Sequence, residues 1–417
     1  MKASPKGLRL HVGIFGRMNA GKSSLLNLLA GQDVSITSPH AGTTTDPVEK
    51  AMELLPLGPV LLLDTAGLDD TSELAGSRIA RAVKALDRTD VALLVLEPDV
   101  WGEPEEAVER ACRERGTPLI AVVNKTDLRR PSDAFLEELG RRVRWILKAS
   151  CADPAGREPA LQGLKAALVE ACPEDFLKNP PLLADLLPKP GLAVFVVPID
   201  LEAPKGRLIL PQVQSLRDAL DADAAVLVVK ESGLAHALGQ LSRQPDLVVC
   251  DSQAVAQVAA DTPLETPLTT FSILFARAKG DIVEAARGAA RLESLRPGDR
   301  VLIAEACTHH AVEDDIGRVK LPRWLRRYAG GELKVEVCSG PDFPEDLSPF
   351  RAVIHCGGCM FNRREMLSRA ARVRRSGGCI TNYGVAIAAL QGLARRVLRP
   401  FPAALAAYES ELQTSRV

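Results

Sequence analysis

The sequence lacks the features of a membrane-bound, secreted or strongly charged protein. In its 417 residues no apolar run approaches the roughly 18 residues that a bilayer-spanning helix needs. No apolar segment of a secretory signal follows the polar residues 1–6. The formal net charge of −1 provides no excess of positive charge for attracting a polyanion such as nucleic acid. We therefore expect a cytoplasmic protein that binds neither membranes nor nucleic acid.

The composition is that of a folded protein with large cores. Hydrophobic residues make up 46% of the chain and charged residues 25%, and its length predicts two or three domains. Nine cysteines in a long chain of this type favour metal, iron–sulfur or redox chemistry, or simple core packing, over structural disulfides.

The strongest local signal is a glycine-rich loop at residues 16–23. Its sequence, GRMNAGKS, has the form G-x-x-x-x-G-K-S and lies between an apolar run and a helix-like run. Such a loop points backbone N–H groups at phosphate oxygens. We expect Lys22 to reach the β- and γ-phosphates and Ser23 to bind Mg²⁺. The predicted nucleotide-binding residues of this loop are Gly16, Asn19, Ala20, Gly21, Lys22, Ser23 and Ser24.

Residues 1–172 alternate apolar runs with helix-like runs, which predicts a doubly wound sheet with ligand loops at the carboxyl ends of its strands. The predicted strands lie near residues 8–15, 48–55, 60–64, 91–96, 118–123 and 145–149. The predicted helices lie near residues 22–31, 72–86, 104–115, 132–139 and 159–171.

Two further motifs predict the rest of a phosphate and magnesium site. The sequence DTAG at residues 64–67 follows an apolar strand, so Asp64 is expected in the Mg²⁺ shell and the Gly67 N–H at the γ-phosphate. The segment 42–46, GTTTD, lies where a loop would close over the γ-phosphate, and Thr44 is its predicted Mg²⁺ ligand. Lys22, Thr44 and Gly67 are the predicted catalytic residues.

The base of the nucleotide is predicted from the sequence NKTD at residues 124–127, which has the form N-K-x-D. Asp127 can accept hydrogen bonds from both N1–H and the exocyclic amine of guanine, a pair that adenine does not offer. Asn124 and Lys125 belong to the same motif, and Ser150 and Cys151 stand at a weaker base-contacting position. The four ordered motifs predict a GTP-hydrolysing domain.

Residues 173–270 resume an αβ rhythm after a proline-rich break, without a recognisable nucleophile, metal spacing or phosphate loop. The expected strands are 193–197, 224–229 and 247–250, and the expected helices lie near 211–220, 231–241 and 252–259. The default expectation for this module is packing or self-association.

A cysteine–histidine pattern marks residues 271–417. After a helix-like segment over 271–292, the predicted strand 300–304 leads to CTHH at residues 307–310, and the predicted strand 352–354 leads to HCGGC at residues 355–359. The pattern is C-x-H-x45-H-C-x-x-C. Both groups of soft ligands follow strand ends, where a doubly wound sheet opens its crevice, so they are expected to converge.

Three interpretations of this pattern remain open. Three thiolates with one further position suit an iron–sulfur cluster, two thiolates with Cys307 and a histidine suit zinc, and the C-x-x-C pair alone suits dithiol redox chemistry. Further candidate ligands are His309, His355, the carboxylate of Asp314, and the thiols of Cys338 and Cys379, the last two more simply explained as core residues.

In combination these motifs resemble the HydF family, the maturation GTPases of FeFe-hydrogenase. The phosphate loop alone is similar to the wider TrmE/Era group, and the cysteine–histidine motifs together with GPDFP at residues 340–344 select HydF. The resemblance covers nearly the whole chain. It implies a GTPase domain over 1–172, a dimerisation domain over 173–270 and a cluster-binding domain over 271–417, all of the α/β class.

The resemblance also implies cofactors and partners. A 4Fe–4S cluster would be held by Cys307, Cys356 and Cys359, with an exchangeable fourth position, and a transient diiron precursor would pass to the apo-hydrogenase in concert with two radical-SAM maturases. The chain has no C-x-x-x-C-x-x-C triad, so radical chemistry is expected in those partners. Asn19 is similar to the K⁺ ligand of the TrmE/Era group. A K⁺ ion would compensate for Leu68, which replaces the water-positioning glutamine of many small GTPases.

Two positions depart from the family pattern: Cys151, where alanine is usual, and Glu313, where many relatives have cysteine. The alternative from another functional class is an RNA-associated GTPase with a zinc-stabilised C-terminal domain. A third is a free-standing GTP-regulated redox protein. Iron and sulfide content distinguishes all three.

Overall fold

The computed structural model describes residues 4–31, 48–65, 67–68, 82–177, 180–199, 208–306, 315–340 and 342–415. Its internal contacts divide the chain into two compact units, Met1–Asn179 and Pro180–Val417. None of the helices in these described ranges combines the length and the apolar character that crossing a bilayer demands.

The first unit is built on a six-stranded sheet in the order β2-β3-β1-β4-β5-β6, in which only β2 runs antiparallel to its neighbour. Its strands are β1 Leu10–Gly16, β2 Val48–Leu54, β3 Gly58–Asp64, β4 Val91–Leu96, β5 Leu119–Val123 and β6 Trp145–Lys148. Its described helices are α1 Lys22–Ala30, α2 Glu103–Arg115, α3 Asp133–Arg142, α4 Pro154–Ala171 and α5 Glu174–Leu177.

The central strands follow from their composition. Every residue of β1, β4 and β5 is buried, as continuous apolar runs require in a parallel sheet that is covered on both faces. Helix α2 carries three glutamates in its first turn and two arginines in its last, which complements the helix dipole. The side chain of Ser132 caps α3 by accepting a hydrogen bond from the Phe135 N–H.

The second unit contains two four-stranded parallel sheets, in the orders β10-β9-β7-β8 and β12-β11-β13-β14. The strands of the first are β7 Leu192–Val196, β8 Ala225–Val229, β9 Leu247–Cys250 and β10 Leu268–Thr270. The strands of the second are β11 Arg300–Glu305, β12 Lys334–Ser339, β13 Ala352–His355 and β14 Cys379–Asn382.

Its α-helices, in chain order, are α6 Leu210–Asp221, α7 Leu234–Gln240, α8 Val255–Asp261, α9 Phe271–Lys279, α10 Ile282–Arg291, α11 Leu321–Ala329, α12 Arg363–Arg375, α13 Tyr383–Leu390, α14 Ala394–Leu398 and α15 Pro402–Ser415.

One hydrophobic core serves both sheets of the second unit. It extends from Leu183 to Leu412 and includes buried residues of β7, β9, β11, β13 and α13. Within it, α10 turns a face of buried small residues towards the core and approaches β14 closely. The predicted division at residues 172/173 and 270/271 stays a prediction, and the second of these boundaries falls inside the shared core.

The α/β class predicted from the sequence is confirmed, and two details differ. The single helix predicted over 271–292 is two helices, because Asp281 begins α10 with its carboxylate accepting hydrogen bonds from the N–H groups of Val283 and Glu284. The strands β10, β12 and β14 were not predicted, since they are short or interrupted by polar residues. Most of the helix predicted at 72–86 lies outside the described residues.

Candidate nucleotide and metal-cluster sites

The phosphate loop leaves β1 through a backbone that only glycine tolerates at two positions. Gly16 has φ 147°, and a Cβ there would lie 2.4 Å from the carbonyl oxygen of Val95. Gly21 has φ 99°, and a Cβ there would lie 2.1 Å from Nδ2 of Asn124. Any larger residue at these two positions would clash with its neighbours, so the turn between β1 and α1 requires both glycines of the G-x-x-x-x-G-K-S pattern.

The side chain of Lys22 crosses this loop. Its Nζ donates hydrogen bonds to the carbonyl oxygens of Gly16, at 3.0 Å, and Arg17, at 2.7 Å. An ammonium group held by neutral carbonyls is available to an anion that enters the loop, because a phosphate is a stronger acceptor. Asn19, in the left-handed region at φ 59°, and Ser23 are both exposed at the same loop.

An ion pair fastens the loop to α2. The Arg17 guanidinium donates two parallel hydrogen bonds of 2.8 Å to the carboxylate of Glu105. Glu105 is 1% exposed and also accepts the Gly102 N–H at the start of α2. Motif matching did not identify this contact, because the second position of the loop pattern accepts any residue.

Asp64 ends β3 with one carboxylate oxygen buried and without a hydrogen-bond partner among the residues that the structure describes. Burial raises the pKa of this carboxyl group, and the nearby charge of Lys22 opposes the shift. An orphaned carboxylate oxygen beside a phosphate loop fits the coordination shell of Mg²⁺, which prefers oxygen ligands. The buried oxygen of Asp64 therefore fits the predicted role of this residue in binding Mg²⁺, either directly or through a metal-bound water.

The loop after β3 lies against the phosphate loop. The N–H of Leu68 donates to the carbonyl oxygen of Gly16 at 3.2 Å, and the Leu68 side chain is 1% exposed. A Cβ on Gly67 would lie 2.9 Å from the backbone nitrogen of Met18. The two segments are thus in close backbone contact, and Leu68 is a core residue that presents no polar group to water.

Asn124 connects three predicted nucleotide-binding segments. This side chain is 3% exposed; its Nδ2 donates to the carbonyl oxygen of Ala20 at 3.0 Å, and its Oδ1 accepts the N–H of Cys151 at 3.1 Å. Thr126 supports the same arrangement, with its hydroxyl 3.0 Å from the Ala149 carbonyl oxygen and 2.9 Å from the Ser150 hydroxyl.

The two charged residues of the N-K-x-D motif remain near the surface. Lys125 has φ 58° and forms an ion pair with Glu97, and Asp127 is exposed. Burial raises the pKa of the Cys151 thiol to about 11, and Arg157 opposes this shift. Cys151 therefore contributes a neutral, buried side chain and a backbone N–H at this end of the site.

The described part of the predicted cysteine–histidine site, residues 355–359, lies at the end of β13, at the switch point of the second unit's β12-β11-β13-β14 sheet. Strand β11 has β12 on one side and β13 on the other, and Ala304 is in register with His355. The Cys356 N–H donates to the Ala304 carbonyl oxygen at 2.9 Å, and the Ala306 N–H donates to the Cys356 sulfur at 3.1 Å. The residue immediately before Cys307 is therefore hydrogen-bonded to the thiol of Cys356.

A buried lysine closes the loop between Cys356 and Phe361. Lys279, the last residue of α9, is 6% exposed and donates to the carbonyl oxygens of Gly358 at 3.2 Å, Cys359 at 3.1 Å and Phe361 at 2.7 Å. Burial lowers the pKa of Lys279 to about 8, while the neighbouring Cys359 and Cys356 raise it. Burial also raises the pKa of the Cys359 thiol, and Lys279 opposes that shift.

His355 is buried with both ring nitrogens occupied. Arg369 donates from Nη1 to Nε2 at 3.2 Å, which leaves the ring proton on Nδ1, 3.0 Å from the Cys356 carbonyl oxygen. Burial, followed by the charge of Arg369, lowers the pKa of His355 to about 3. Both nitrogens of this neutral ring are engaged in hydrogen bonds, so neither is available to coordinate a metal. The geometry therefore argues against His355 as the fourth ligand.

The remaining candidate ligands divide by position. Cys379 pairs with Ala352 at the amino end of β13, at the opposite edge of the sheet from Cys356, so it is not part of the site. Cys338, on β12 beside Ala304, is half-buried, and burial raises its thiol pKa to about 11. Outside the described residues lie Thr44, Cys307, His309, Glu313 and Asp314. Within the described ranges no group of three metal-ligating side chains occurs.

Two residues of this site were missed by reasoning from sequence. Lys279 follows an apolar stretch in the middle of the helix predicted over 271–292, and Arg369 is one of six arginines in residues 363–375. In the structure Arg369 is 4% exposed, forms an ion pair with Glu365 at 3.0 Å and donates to the Gly340 carbonyl oxygen. Neither residue carries a motif, and only the packing around the loop identifies them.

Three family models match the chain. The model described as "Hydrogen maturase F dimerization domain" matches residues 182–280, and "Hydrogen maturase F tetramerization domain" matches residues 283–400. The model "50S ribosome-binding GTPase" matches residues 11–125.

Curated relatives match parts of the chain. The tRNA modification GTPase MnmE of Synechococcus sp. is 33% identical over 235 residues, which are 55% of this chain and 46% of the relative. GTPase Der of Wolinella succinogenes is 40% identical over 143 residues, 33% of this chain and 30% of the relative. The chain thus spans less than half the length of these relatives.

Among solved structures, a variant of Aquifex aeolicus Era bound to GDP and AlF4⁻ is 20% identical, with a TM-score of 0.33, and covers 53% of this chain and 92% of its own. The G domain of T. maritima FeoB is 21% identical, with a TM-score of 0.31, and covers 39% of this chain and 98% of its own.

Proposed function

The chain belongs to the hydrogen maturase F family, and on this premise we propose that it is a GTP-hydrolysing scaffold for an iron–sulfur cargo. It holds a 4Fe–4S cluster and delivers a diiron precursor to apo FeFe-hydrogenase. The premise rests on two family models that together match more than half of the chain, next to a GTPase model over its first unit.

The observation that carries the cluster proposal is the register of β11 and β13. Because Ala304 lies opposite His355, the segments that begin at Cys307 and Cys356 leave neighbouring strands at one edge of the sheet. The N–H of Ala306 on the Cys356 sulfur stabilises a thiolate, as donors to ligand sulfurs do in iron–sulfur proteins. The proposed ligands are Cys307, Cys356 and Cys359.

With three thiolates, one coordination position is left to a fourth ligand. When bound, the cluster would supply an iron that accepts an exchangeable ligand, and the proposed candidates in this chain are His309 and Asp314. His355 is not among them, since Arg369 and the Cys356 carbonyl oxygen occupy its ring nitrogens. Its structural role is to hold the strand end from which Cys356 departs.

The first unit supports GTP binding and hydrolysis. Lys22 would exchange its two carbonyl acceptors for phosphate oxygens, and Asp127, exposed at the other end of the site, would read guanine. Ser23, Thr44 and Asp64 are the proposed Mg²⁺ residues, and the buried orphan oxygen of Asp64 supports this assignment. Catalysis of phosphoryl transfer then consists of positioning and charge stabilisation by Lys22, Thr44 and the Gly67 N–H.

A K⁺ ion bound at Asn19 is proposed as the additional charge. Leu68 follows the D-x-x-G motif as a buried apolar residue, so no side chain at this position polarises the attacking water. Asn19 is an exposed residue of the phosphate loop, and its side-chain amide carries an oxygen that can bind a cation. The chemistry resembles that of an arginine finger, with a monovalent ion in place of the guanidinium.

GTP is proposed to act as a switch for partner exchange. The Gly67–Leu68 segment contacts the phosphate loop through the Leu68 N–H and lies close to the backbone of Met18, so we expect a γ-phosphate bound in the loop to change this contact. Order–disorder changes in such segments are the usual means by which GTPases alter their interfaces. The proposed partners are the apo-hydrogenase and two radical-SAM maturases, the latter supplying the radical chemistry.

Homodimerisation is proposed for the β10-β9-β7-β8 sheet. Strand β8 is its edge, and Val228 on this strand is 42% exposed. Val213 and Leu220 on the neighbouring helix α6 are 45% and 55% exposed. An exposed apolar edge strand favours pairing with a second copy of the sheet. The match to a dimerization domain model over the same residues supports this assignment.

The cluster proposal is tested by anaerobic reconstitution with iron and sulfide. We expect about four irons and four sulfides per chain, with the visible absorption of a 4Fe–4S cluster. Cys356→Ser should lose most of this iron, while Cys379→Ser, which alters a thiol at the opposite end of the same sheet, should retain it. Zinc without iron in the wild-type protein would contradict the proposal and favour the zinc-stabilised alternative.

A further inference from the structure

Lys279 is a buried cation without a carboxylate partner among the residues that the structure describes. Its three hydrogen-bond acceptors are the backbone carbonyl oxygens of Gly358, Cys359 and Phe361. Transfer of an ammonium group from water into a protein interior is costly, and carbonyl dipoles repay only part of that cost. A buried lysine in this position therefore indicates that a compensating negative charge belongs beside its ammonium group.

The other buried cation of the site provides the contrast. Arg369 is as buried as Lys279, but the carboxylate of Glu365 lies 3.0 Å from its guanidinium. For Lys279 the nearby groups that can carry negative charge are the thiols of Cys359 and Cys356, whose charges favour its ammonium form. Metal ligation deprotonates such thiols, so an anionic centre held by this pair would supply a counter-charge for Lys279.

The three carbonyl contacts also define the shape of the C-x-x-C loop. Gly358 has φ 64°, and its carbonyl oxygen and that of Cys359 both turn towards the same Nζ. Because α9 is packed in the core of the second unit, with Phe271, Ile273, Leu274 and Phe275 buried, the ammonium is held on a rigid element. The ammonium group of Lys279 thus anchors the loop that carries both cysteines.

We propose that Lys279 is a positioning residue of the cluster site, which preforms the Cys356–Cys359 loop and sets the reduction potential of the cluster held there. The inference rests on the proposed 4Fe–4S function. Reduction adds an electron to the cluster, so a fixed positive charge beside it stabilises the reduced state more than the oxidised one. Removal of that charge makes the potential more negative.

The test is a dithionite titration of the reconstituted full-length protein, followed by electron paramagnetic resonance. Lys279→Met removes the charge and all three donors, and Lys279→Gln removes the charge but keeps an amide donor. The matched control is Lys334→Met, which removes the same charge from an exposed position at the amino end of β12, the opposite edge of the sheet. Iron and sulfide are counted for every variant before titration.

We expect both Lys279 variants to have midpoint potentials more negative than the wild type and the Lys334→Met potential to be unchanged. Lys279→Met should also retain less iron than Lys279→Gln, because it loses the loop anchor. Wild-type potential in a fully loaded Lys279→Met or Lys279→Gln protein would overturn the inference while leaving the cluster proposal intact. Failure of the wild-type protein to bind iron would instead overturn the cluster proposal.

Discussion

At the residue scale, the nucleotide site depends on the amide of Asn124. Its two hydrogen bonds join the phosphate loop at Ala20 to the backbone at Cys151, so one side chain sets the spacing between the ends that would hold phosphates and base. Gly21 is the position where this amide approaches the loop backbone. The absence of a side chain at Gly21 is therefore as necessary as the presence of the amide.

We predict that Gly21→Ala weakens GTP binding strongly without unfolding the protein. The new Cβ would lie 2.1 Å from Nδ2 of Asn124 and displace it from both partners. Restoring the geometry of the site on binding would then cost about 2 kcal/mol, the contribution of two hydrogen bonds of about 1 kcal/mol each, which corresponds to roughly a 30-fold rise in the dissociation constant. Calorimetric titration measures this change.

The control for this measurement is Gly140→Ala on α3. A Cβ at Gly140 meets only Cδ1 of Ile146 at an ordinary 3.9 Å, and alanine is the better helix former by about 1 kcal/mol. This variant should bind GTP as the wild type does. Equal affinities for Gly21→Ala and wild type would show that Asn124 does not organise the site.

Hydrolysis is predicted to be faster in K⁺ than in Na⁺ at equal ionic strength, by roughly tenfold, which is about 1.4 kcal/mol of transition-state stabilisation. Asn19→Gly is the informative variant, because glycine tolerates the φ of 59° at this position and removes only the amide. Its single-turnover rate should be the same in both salts. Equal wild-type hydrolysis rates in K⁺ and in Na⁺ would exclude this role for Asn19.

Prediction from sequence succeeds for residues that belong to a motif with a fixed spacing. It fails for residues whose role depends on tertiary packing. Lys22, Asp64 and Asn124 belong to motifs, and the structure brings all three to one edge of the sheet. Lys279 and Arg369 have no spacing signal, since each reaches the cysteine loop from a separate helix. The distance in sequence between Lys279 and Cys359 hides a contact that only the shared core creates.

At the scale of elements, the second unit depends on close contact between α10 and β14. Gly288 faces the carbonyl oxygen of Ile380, to which a Cβ would approach within 1.9 Å, and the Thr381 hydroxyl donates to the Ala285 carbonyl oxygen at 2.7 Å. Strand β14 escapes prediction because two of its four residues, Thr381 and Asn382, are polar, although all four are buried. The strands β11 and β13 were predictable, since each is an apolar run with a buried pattern.

Gly288→Ala is predicted to destabilise the second unit by about 1–3 kcal/mol, the usual cost of overpacking, because backbone atoms at this contact cannot rotate away. Differential scanning calorimetry of the full chain measures the effect. Added GTP and Mg²⁺ identify the transition of the nucleotide-binding unit by raising it, and the other transition should fall by about 5 °C.

Gly239→Ala on α7 is the matched variant, since a Cβ there meets nothing within 4 Å. Its melting temperature should equal or exceed that of the wild type. If both glycine substitutions shift the second transition alike, steric contact with Ile380 is not the cause.

At the scale of the whole molecule, one compact unit carries the nucleotide-binding residues and the other carries the proposed cluster site. Within the described residues, Lys22, Asp64 and Asn124 of the GTP site lie at one sheet, and the cysteine loop is built on a different sheet with its own buried cation. In the described loop 355–361, hydrogen bonds from Lys279 and His355 already hold the backbone, so we propose that its shape does not depend on GTP. GTP is therefore expected to change which partner is bound, and not whether the cluster assembles.

The measurement that tests this claim most directly is the affinity of the cluster-loaded protein for apo FeFe-hydrogenase in the presence of a non-hydrolysable GTP analogue or of GDP, with iron counted in both states. We predict dissociation constants that differ at least about tenfold and identical iron contents, with the difference abolished in Lys22→Ala. Equal affinities, accompanied by iron loading that depends on the nucleotide, would contradict this role of GTP in partner exchange.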